Sequence, residues 1–467
     1  MSEETQFENR MGDADALMWH IERDPLLRST ITVVWILDSM PDMERLAAKL
    51  DRASRLVPRL RERVVSSQFS MAPPRWEVDP DFDMDFHFRR MRLAGDGSMR
   101  DLLDAAQPFS MQAFDRDRPL WEMRLVDGLA DGRTAIMMKL HHALSDGVGL
   151  VRMTTSLVEQ GRLPDSGAIE PVPEAPPIHL MTQAERFLDA LDHERRKQTD
   201  RVRRTWNALG ESLSGVARDP VGAARDISDA VGSVGRLLRP VSEPMSPLMR
   251  GRSSRYRFDT LPLSLDQLKA AAHHAGGRLN DAFVAAVAGG LRHYHDQNGV
   301  AVGALRMSMP INLRSGETAS KAGNQFVPVR FPVPMDIEDV MERMEVIREL
   351  VRKQRDEPAL PIADEVASLL NRFPTAVTTG VFGSMMKGVD FTTSNVPGPP
   401  FDVFVSGALV EEIYGFGPLA GSAINVTLFS YRGDLGMAVS SDRAAVSDPD
   451  CFMDCLKQGV DEVLAVA

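Results

Sequence analysis

Cysteine is scarce in this chain. Cys451 and Cys455 are the only two among 467 residues. Spaced four apart on a helical pattern, they make neither a disulfide framework nor a CxxC pair. They read as incidental helical thiols in a reducing compartment. Long apolar runs are missing too. No stretch of 18 or more apolar residues occurs, so no membrane-spanning helix is expected. The opening "MSEETQFENRMGDADAL" is acidic and lacks the apolar centre of a signal peptide, so a cytoplasmic protein is expected. Positive charge is in deficit, with 54 Lys and Arg against 66 Asp and Glu and a formal net charge of −12. General nucleic-acid binding rests on Lys and Arg against phosphates, so no nucleic-acid partner is expected. A small polyanion would need a local cationic patch. Also absent are a P-loop, a GxSxG elbow, an HExxH pair and a DxDxDG loop. Phosphoryl transfer, ordinary serine hydrolysis and the common metal sites lose ground with them.

What is present fits a globular protein, with 43% hydrophobic and 26% charged residues. The length exceeds one ordinary core, so an α/β chain of two mixed-sheet domains with a connector is expected. Residues 1–162 form the first domain in this reading. "TITVVWILD" is a β-branched strand, and "DMERLAAKLDRASRLVPRLRERV" repeats apolar residues at helical spacing. "RTAIMMKLHH" is a strand, and "DGVGLVRMTTSLVEQG" a helix after it. Residues 163–250 begin with the proline-rich linker "LPDSGAIEPVPEAPP". Two helical faces follow, Val202, Trp206, Leu209 and Leu213, then Ile227, Val231, Val234 and Leu238. Basic residues such as Arg195, Arg196, Arg203 and Arg204 suit either a solvated face or an anionic membrane surface; Glu194 and Asp200 dilute them and favour the solvated face. Residues 251–467 make the second domain. Ser264 caps one helix there, and "LNDAFVAAVAGGLRHYHD" opens another with Asn280 and Asp281. Strands "FVPVRFPVP" and "INVTLFSYRGDLGMAVSSD" follow, and "PDCFMDCLKQGVDEVLAV" closes the chain as a helix.

The chemistry concentrates at "LHHALSDG", at the end of a strand. An imidazole has an ordinary pKa of about 6.5 and suits a general base. His142 has Asp146 four residues on, to fix its tautomer or brace the loop. Gly147 permits a positive φ or a close approach of ligand. Ser145 is a turn former. His141 and His142 are adjacent and point to opposite faces of a strand, so no shared metal ion is expected. On the residues alone, a base with its orienting acid and a pair of structural histidines both stand. Asn280 and Asp281 are ordinary helix-start residues when read alone. "SNVPGPP", with Ser394 and Asn395 before a Pro-Gly-Pro turn, reads alone as a structural turn.

Taken in order, these segments resemble the bacterial wax ester synthase/diacylglycerol acyltransferase family over nearly the whole chain. "PLWE", from Pro119 through Trp121 to Glu122, matches the family's N-terminal half. "HHALSDG" fits its HHxxxDG motif, which a larger acyltransferase superfamily shares. "LND", "MPINLRS", "GNQFVPVRFPVP" and "SNVPGP" follow in the family's order. The resemblance implies two chloramphenicol-acetyltransferase-like domains joined by a helical connector, with a channel between them. It implies an acyl-CoA-dependent O-acyltransferase that makes triacylglycerol or wax ester from diacylglycerol or a fatty alcohol. Acyl-CoA is then a co-substrate, and no cofactor or metal is expected. His142 would be the general base, His141 its support, Asp146 and Gly147 the shapers of the loop. Asn280 would supply an oxyanion or positioning donor across the channel. Asp281, Ser394, Asn395, Pro119 and Trp121 would contact substrate. Hydrophobic substrates imply peripheral contact with the inner membrane face or with lipid bodies. "MWHIERDPLLRSTIT" departs from the family's Pro-Met-His segment, with Leu26, Leu27 and Arg28 in its place, so acceptor choice is not carried over. A condensation-type enzyme with a carrier-bound acyl donor and a non-catalytic acyl-lipid-binding paralogue are the alternatives.

Overall fold

A computed structural model describes residues 9–66, 72–144, 154, 156–163, 172–216, 243–312, 326–356 and 375–467. Ser145, Asp146 and Gly147 lie outside the described residues, as do the face from Ile227 to Leu238 and most of the helix expected after Asp146.

The first half opens with helix α1 (Asp13–Ile21) and strand β1 (Thr30–Leu37). Successive residues of β1 face opposite ways. Trp35 and Leu37 join one core, Val34 and Ile36 another. Helix α2 (Met43–Leu56) begins where the Asp42 carboxylate accepts the Glu44 and Arg45 N–H groups, and it packs Leu46 and Leu50 into the first of those cores. The helical spacing expected to run on through Val64 stops at Val57, which is extended. Pro58 forces that, because a proline disfavours helical backbone at the residue before it. "ERVV" then forms β2 (Glu62–Val65), paired with β3 (Arg75–Val78). Strand β4 (Phe88–Arg92), helix α3 (Met99–Met111), β5 (Trp121–Asp127) and β6 (Thr134–His141) complete this half.

Connector helix α4 (Gln183–Val216) is docked by ion pairs rather than left solvated all round. Arg186 grips Glu77 with two hydrogen bonds of 3.0 and 2.8 Å. Asp189 meets Arg10 and Arg75, and Lys197 meets Asp13 at 2.6 Å.

The second half runs β7 (Tyr256–Ser264), α5 (Leu265–His274), α6 (Leu279–Gln297), β8 (Ala304–Asn312), β9 (Phe326–Pro334), α7 (Val340–Arg355) and α8 (Thr375–Lys387). It ends with β10 (Phe391–Pro397), β11 (Phe404–Val405), β12 (Ala408–Phe416), β13 (Ile424–Tyr431), β14 (Asp434–Asp442) and α9 (Pro449–Leu464). The prolines of "FVPVRFPVP" are tolerated because β9 is an edge strand.

Two mixed six-stranded sheets result, ordered β11-β12-β1-β6-β5-β4 and β7-β14-β13-β10-β8-β9. The stretch from residue 251 onward therefore does not complete its fold within itself. β12 leaves it to pair antiparallel with β1, from Thr32↔Phe416 to Leu37↔Val410. One apolar cluster joins the two halves. It takes Val34 and Met137 from the first sheet, Leu102 and Phe109 from α3, and Phe258 and Ala438 from the second sheet. Phe258 and Phe416 stack there at 4.1 Å. Gly436 on β14 lets β12 come this close, since a Cβ there would sit 2.4 Å from the Ile413 carbonyl oxygen.

Gly436→Ala is expected to cost about 1–3 kcal/mol, because backbone rather than a side-chain tip must yield. Thermal or urea unfolding should show an earlier midpoint. Gly303→Ala, which meets open space, serves as the control and should leave it unmoved.

Candidate active site

All eight residues of β6 are buried. Ile136, Met138 and Leu140 face the α2 core, and Ala135 and Met137 face the junction between the halves. By strand alternation Lys139 and His141 follow on the junction side. His142 leaves the strand into a 3-10 turn (His142–Leu144), and its N–H donates to the Ser29 carbonyl at 2.9 Å.

His141 is fully buried. The Ala143 N–H donates to its Nδ1 at 3.0 Å, so the proton of a neutral ring sits on Nε2. That nitrogen lies 3.0 Å from Glu22 Oε1. Trp19 approaches the ring edge-on at 5.5 Å, and Phe114 at 6.2 Å. Glu22 ends α1 and also accepts the Ser29 N–H. Burial works to raise its carboxyl, but His141, the Ser29 N–H and Arg116 outweigh this and hold it below the ordinary carboxylate range. Arg116 rests over the Trp19 ring at 4.0 Å and donates to the Trp19 carbonyl.

His142 keeps some solvent access, yet its surroundings are poor in water. Burial first, and the adjacent His141 second, push it down to about 4, against its own backbone hydrogen bond and the Glu22 carboxylate. At neutral pH it is therefore uncharged, with a ring lone pair free of a proton. A proton acceptor needs that state.

Beside the histidines, Lys139 is wholly buried and paired with Glu122 at 2.7 Å, across the β5–β6 ladder. The Phe109 and Phe114 rings flank its ammonium at 5.0 and 4.5 Å. Tyr256, at the start of β7, brings a phenol to the same junction. Burial pushes it up to about 12, and among the charges it feels are Arg28, Asp442 and Glu22. It stays protonated and can donate.

The other expected residues are dispersed. In "PLWE", Trp121 turns into the α2 core, where it stacks on His87 at 4.5 Å and donates to the Leu60 carbonyl at 2.8 Å. Pro119 is buried just ahead of that strand. Trp121 and Pro119 thus hold β5 in place, and Glu122 is the residue of the motif that faces the junction. Asn280 lies on the first turn of α6, its amide 3.7 Å from the Met309 thioether, a weak acceptor. Asp281 accepts the Arg278 N–H at 2.8 Å, which caps its own helix. Ser394 is half-buried and Asn395 exposed, paired in register with Thr427 and Leu428. The turn after them is dictated by contact, because a Cβ on Gly398 would lie 2.3 Å from the Ser430 carbonyl oxygen.

Glu22, Arg116, Lys139 and Tyr256 were not singled out from sequence. Glu22 lies in the "MWHIERDPLLRSTIT" stretch, and only the Thr30↔His141 register brings it to the histidine. Leu27 of the same stretch is buried against Leu17, Ile21 and Met386, while Arg28 donates to the Met111 carbonyl. Among the described residues no group of three or more His, Cys, Asp or Glu is placed to hold a metal ion.

The family models and the sequence relatives identify one family. Its wax ester synthase/diacylglycerol acyltransferase catalytic-domain model matches residues 10–283, and its C-terminal-domain model matches residues 322–463. A Mycobacterium tuberculosis protein named as a diacylglycerol O-acyltransferase is 38% identical over 471 residues, spanning 100% of this chain and 94% of its own length. A second from the same organism is 31% identical over 384 residues, spanning 80% of this chain and 78% of its own length. Among solved structures, a wax ester synthase/diacylglycerol acyltransferase from Marinobacter aquaeolei VT8 aligns with a TM-score of 0.61 at 21% identity, covering 97% of this chain and 98% of that one. The first condensation domain of the calcium-dependent antibiotic synthetase aligns at 0.59 and 16% identity, covering 99% and 96%. At those identities the two structures share the fold.

Ring-nitrogen NMR should find the His142 imidazole, identified by the signal lost in His142→Ala, neutral at pH 6 and titrating near 4. An unfolded histidine titrates near 6.5. The folded state therefore takes up this proton later, and acidification below about 6.5 weakens it through this group. Titration of the folded ring near 6.5 would contradict the burial.

Proposed function

This chain belongs to the wax ester synthase/diacylglycerol acyltransferase family, and from that premise we propose that it moves an acyl group from acyl-CoA to the hydroxyl of diacylglycerol or a long-chain alcohol, with His142 as general base. It is an O-acyltransferase. The observation that carries the finer reading is the place of His142 at a strand end, beside a His141 fixed by Ala143 and Glu22, in surroundings whose burial favours its neutral ring.

His142 takes the hydroxyl proton as the oxygen attacks the thioester carbon. A C–O bond forms, the C–S bond breaks, and the proton passes to the CoA sulfur. No acyl-enzyme is required, because the base activates the acceptor directly. A ring held near 4 carries the proton only briefly, which suits a shuttle between oxygen and sulfur. Asn280 supports the negative carbonyl oxygen of the transition state, since a substrate oxygen is a better acceptor than the Met309 sulfur. Asp146 and Gly147, outside the described residues, assist the histidine in this reading. Ser394 and Asn395 contact substrate at the end of β10. Acyl-CoA is a co-substrate, and the scheme needs no further cofactor.

No helix among the described residues is long and apolar enough to cross a membrane. Contact with a membrane face or lipid body is instead peripheral in this reading. In its favour, Phe187, Leu188 and Leu191 are 47%, 63% and 47% exposed on one side of α4, with Arg195 and Arg196 a turn or two on.

His142→Ala should lower ester formation from labelled acyl-CoA by about 10²–10⁴-fold, with diacylglycerol or a long-chain alcohol as acceptor. Near wild-type turnover would sink the mechanism. Free CoA should appear without any carrier protein, which a condensation-type enzyme would not allow. In liposome flotation, serine at positions 187, 188 and 191 should reduce recovery with anionic vesicles severalfold, and unchanged recovery would rule that surface out.

A further inference from the structure

We propose that the pocket between α1 and α8 seats the phosphate-bearing end of the acyl donor; this rests on the acyl-CoA reading above. The pocket has a volume of about 440 Å³ and is bounded by Arg23 and Asp24 on one side and by Thr379, Gly383 and Lys387 on the other. That size is ample for a phosphate-bearing portion of a ligand. Its charge opposes that of the whole chain. Arg23 is exposed and has no ion-pair partner among the described residues. Arg116 is close enough for the two like charges to be felt. The Lys387 ammonium is held by Asp24 at 2.5 Å and is 35% exposed, so it can be shared with a second anion. The Thr379 hydroxyl oxygen, enclosed at the pocket wall, has no hydrogen-bond partner among the described residues, an unused donor in a protein that pairs most of its buried polar groups. Guanidinium, ammonium and hydroxyl together are a phosphate-recognition set.

Position supports the same ligand. Arg23 and Asp24 directly follow Glu22, whose carboxylate lies 3.0 Å from His141. In CoA a pantetheine arm separates the phosphates from the thioester. A cationic pocket set a step away from the histidines is what such a donor requires, and an acceptor lipid without charge has no use for it.

The test uses the full chain and the variants Arg23→Ala and Thr379→Val, neither of them in the catalytic machinery. Calorimetry with CoA should give a Kd raised about tenfold by Arg23→Ala, the loss of one charge-assisted hydrogen bond, and raised less by Thr379→Val. KM for acyl-CoA should rise in parallel, while KM for acyl-pantetheine, which has no phosphate, stays put. Repeating the titration with 3′-dephospho-CoA assigns the phosphate. A smaller variant effect places the 3′-phosphate in the pocket, and an equal effect places the diphosphate there; either supports the site. Unchanged CoA affinity in both variants overturns it, as does an equal loss with acyl-pantetheine. If the wild-type chain neither binds CoA nor turns over acyl-CoA, the acyl-CoA reading itself falls and takes the pocket with it.

Discussion

The ladder between β1 and β12 is the interaction on which the rest of the molecule depends. β12 belongs by sequence to the second half, yet its hydrogen bonds are to the first sheet. Without it β1 would be an edge. With it, β1 is braced on one side by β12 and on the other by β6, the strand that ends in the histidines. The Phe258–Phe416 stack and the bare Cα of Gly436 then hold the two sheets at contact distance. The geometry around His141 is thus inherited from residues nearly three hundred positions away.

The junction face of the first sheet concentrates ionisable groups where apolar ones would be cheaper. Burying charge costs several kcal/mol per ion unless it is paired with good geometry. The pairing is present: Lys139 with Glu122, and Glu22 with His141 and the Ser29 N–H. Replacing such a network by hydrocarbon is often neutral or favourable for stability alone. Its presence at the ends of β5 and β6, next to an uncharged His142, fits a surface kept polar for chemistry.

Much of this was legible in the sequence because it is local. β-Branching marked β1, a short apolar run marked β6, caps marked Ser264 and the start of α6, and the histidines fell at a strand end as expected. The failures share a cause. "RERV" continues a helical pattern but is a strand, because Pro58 breaks the backbone before periodicity can act. Trp121 carries the motif's most conspicuous side chain, yet the strand's period turns it away from the junction and turns Glu122 toward it. Glu22 has no motif at all, and its role exists only in the register of β1 on β6. "ALVEEIYGF" was always strand-like, but nothing within it says which sheet it joins. The loop with Asp146 and Gly147 was read from the sequence and lies outside the described residues.

The crossing of β12 also sets a schedule for synthesis. As the chain emerges from the ribosome, β1 and β6 can pair early, but the outer edge of β1 stays open until residue 416 has appeared. Until then the nascent chain carries an apolar strand with unsatisfied backbone groups, the kind of edge that recruits other strands. The site can mature only after β12 has been made, so any premature stop before β12 yields a first half that is sticky as well as inactive.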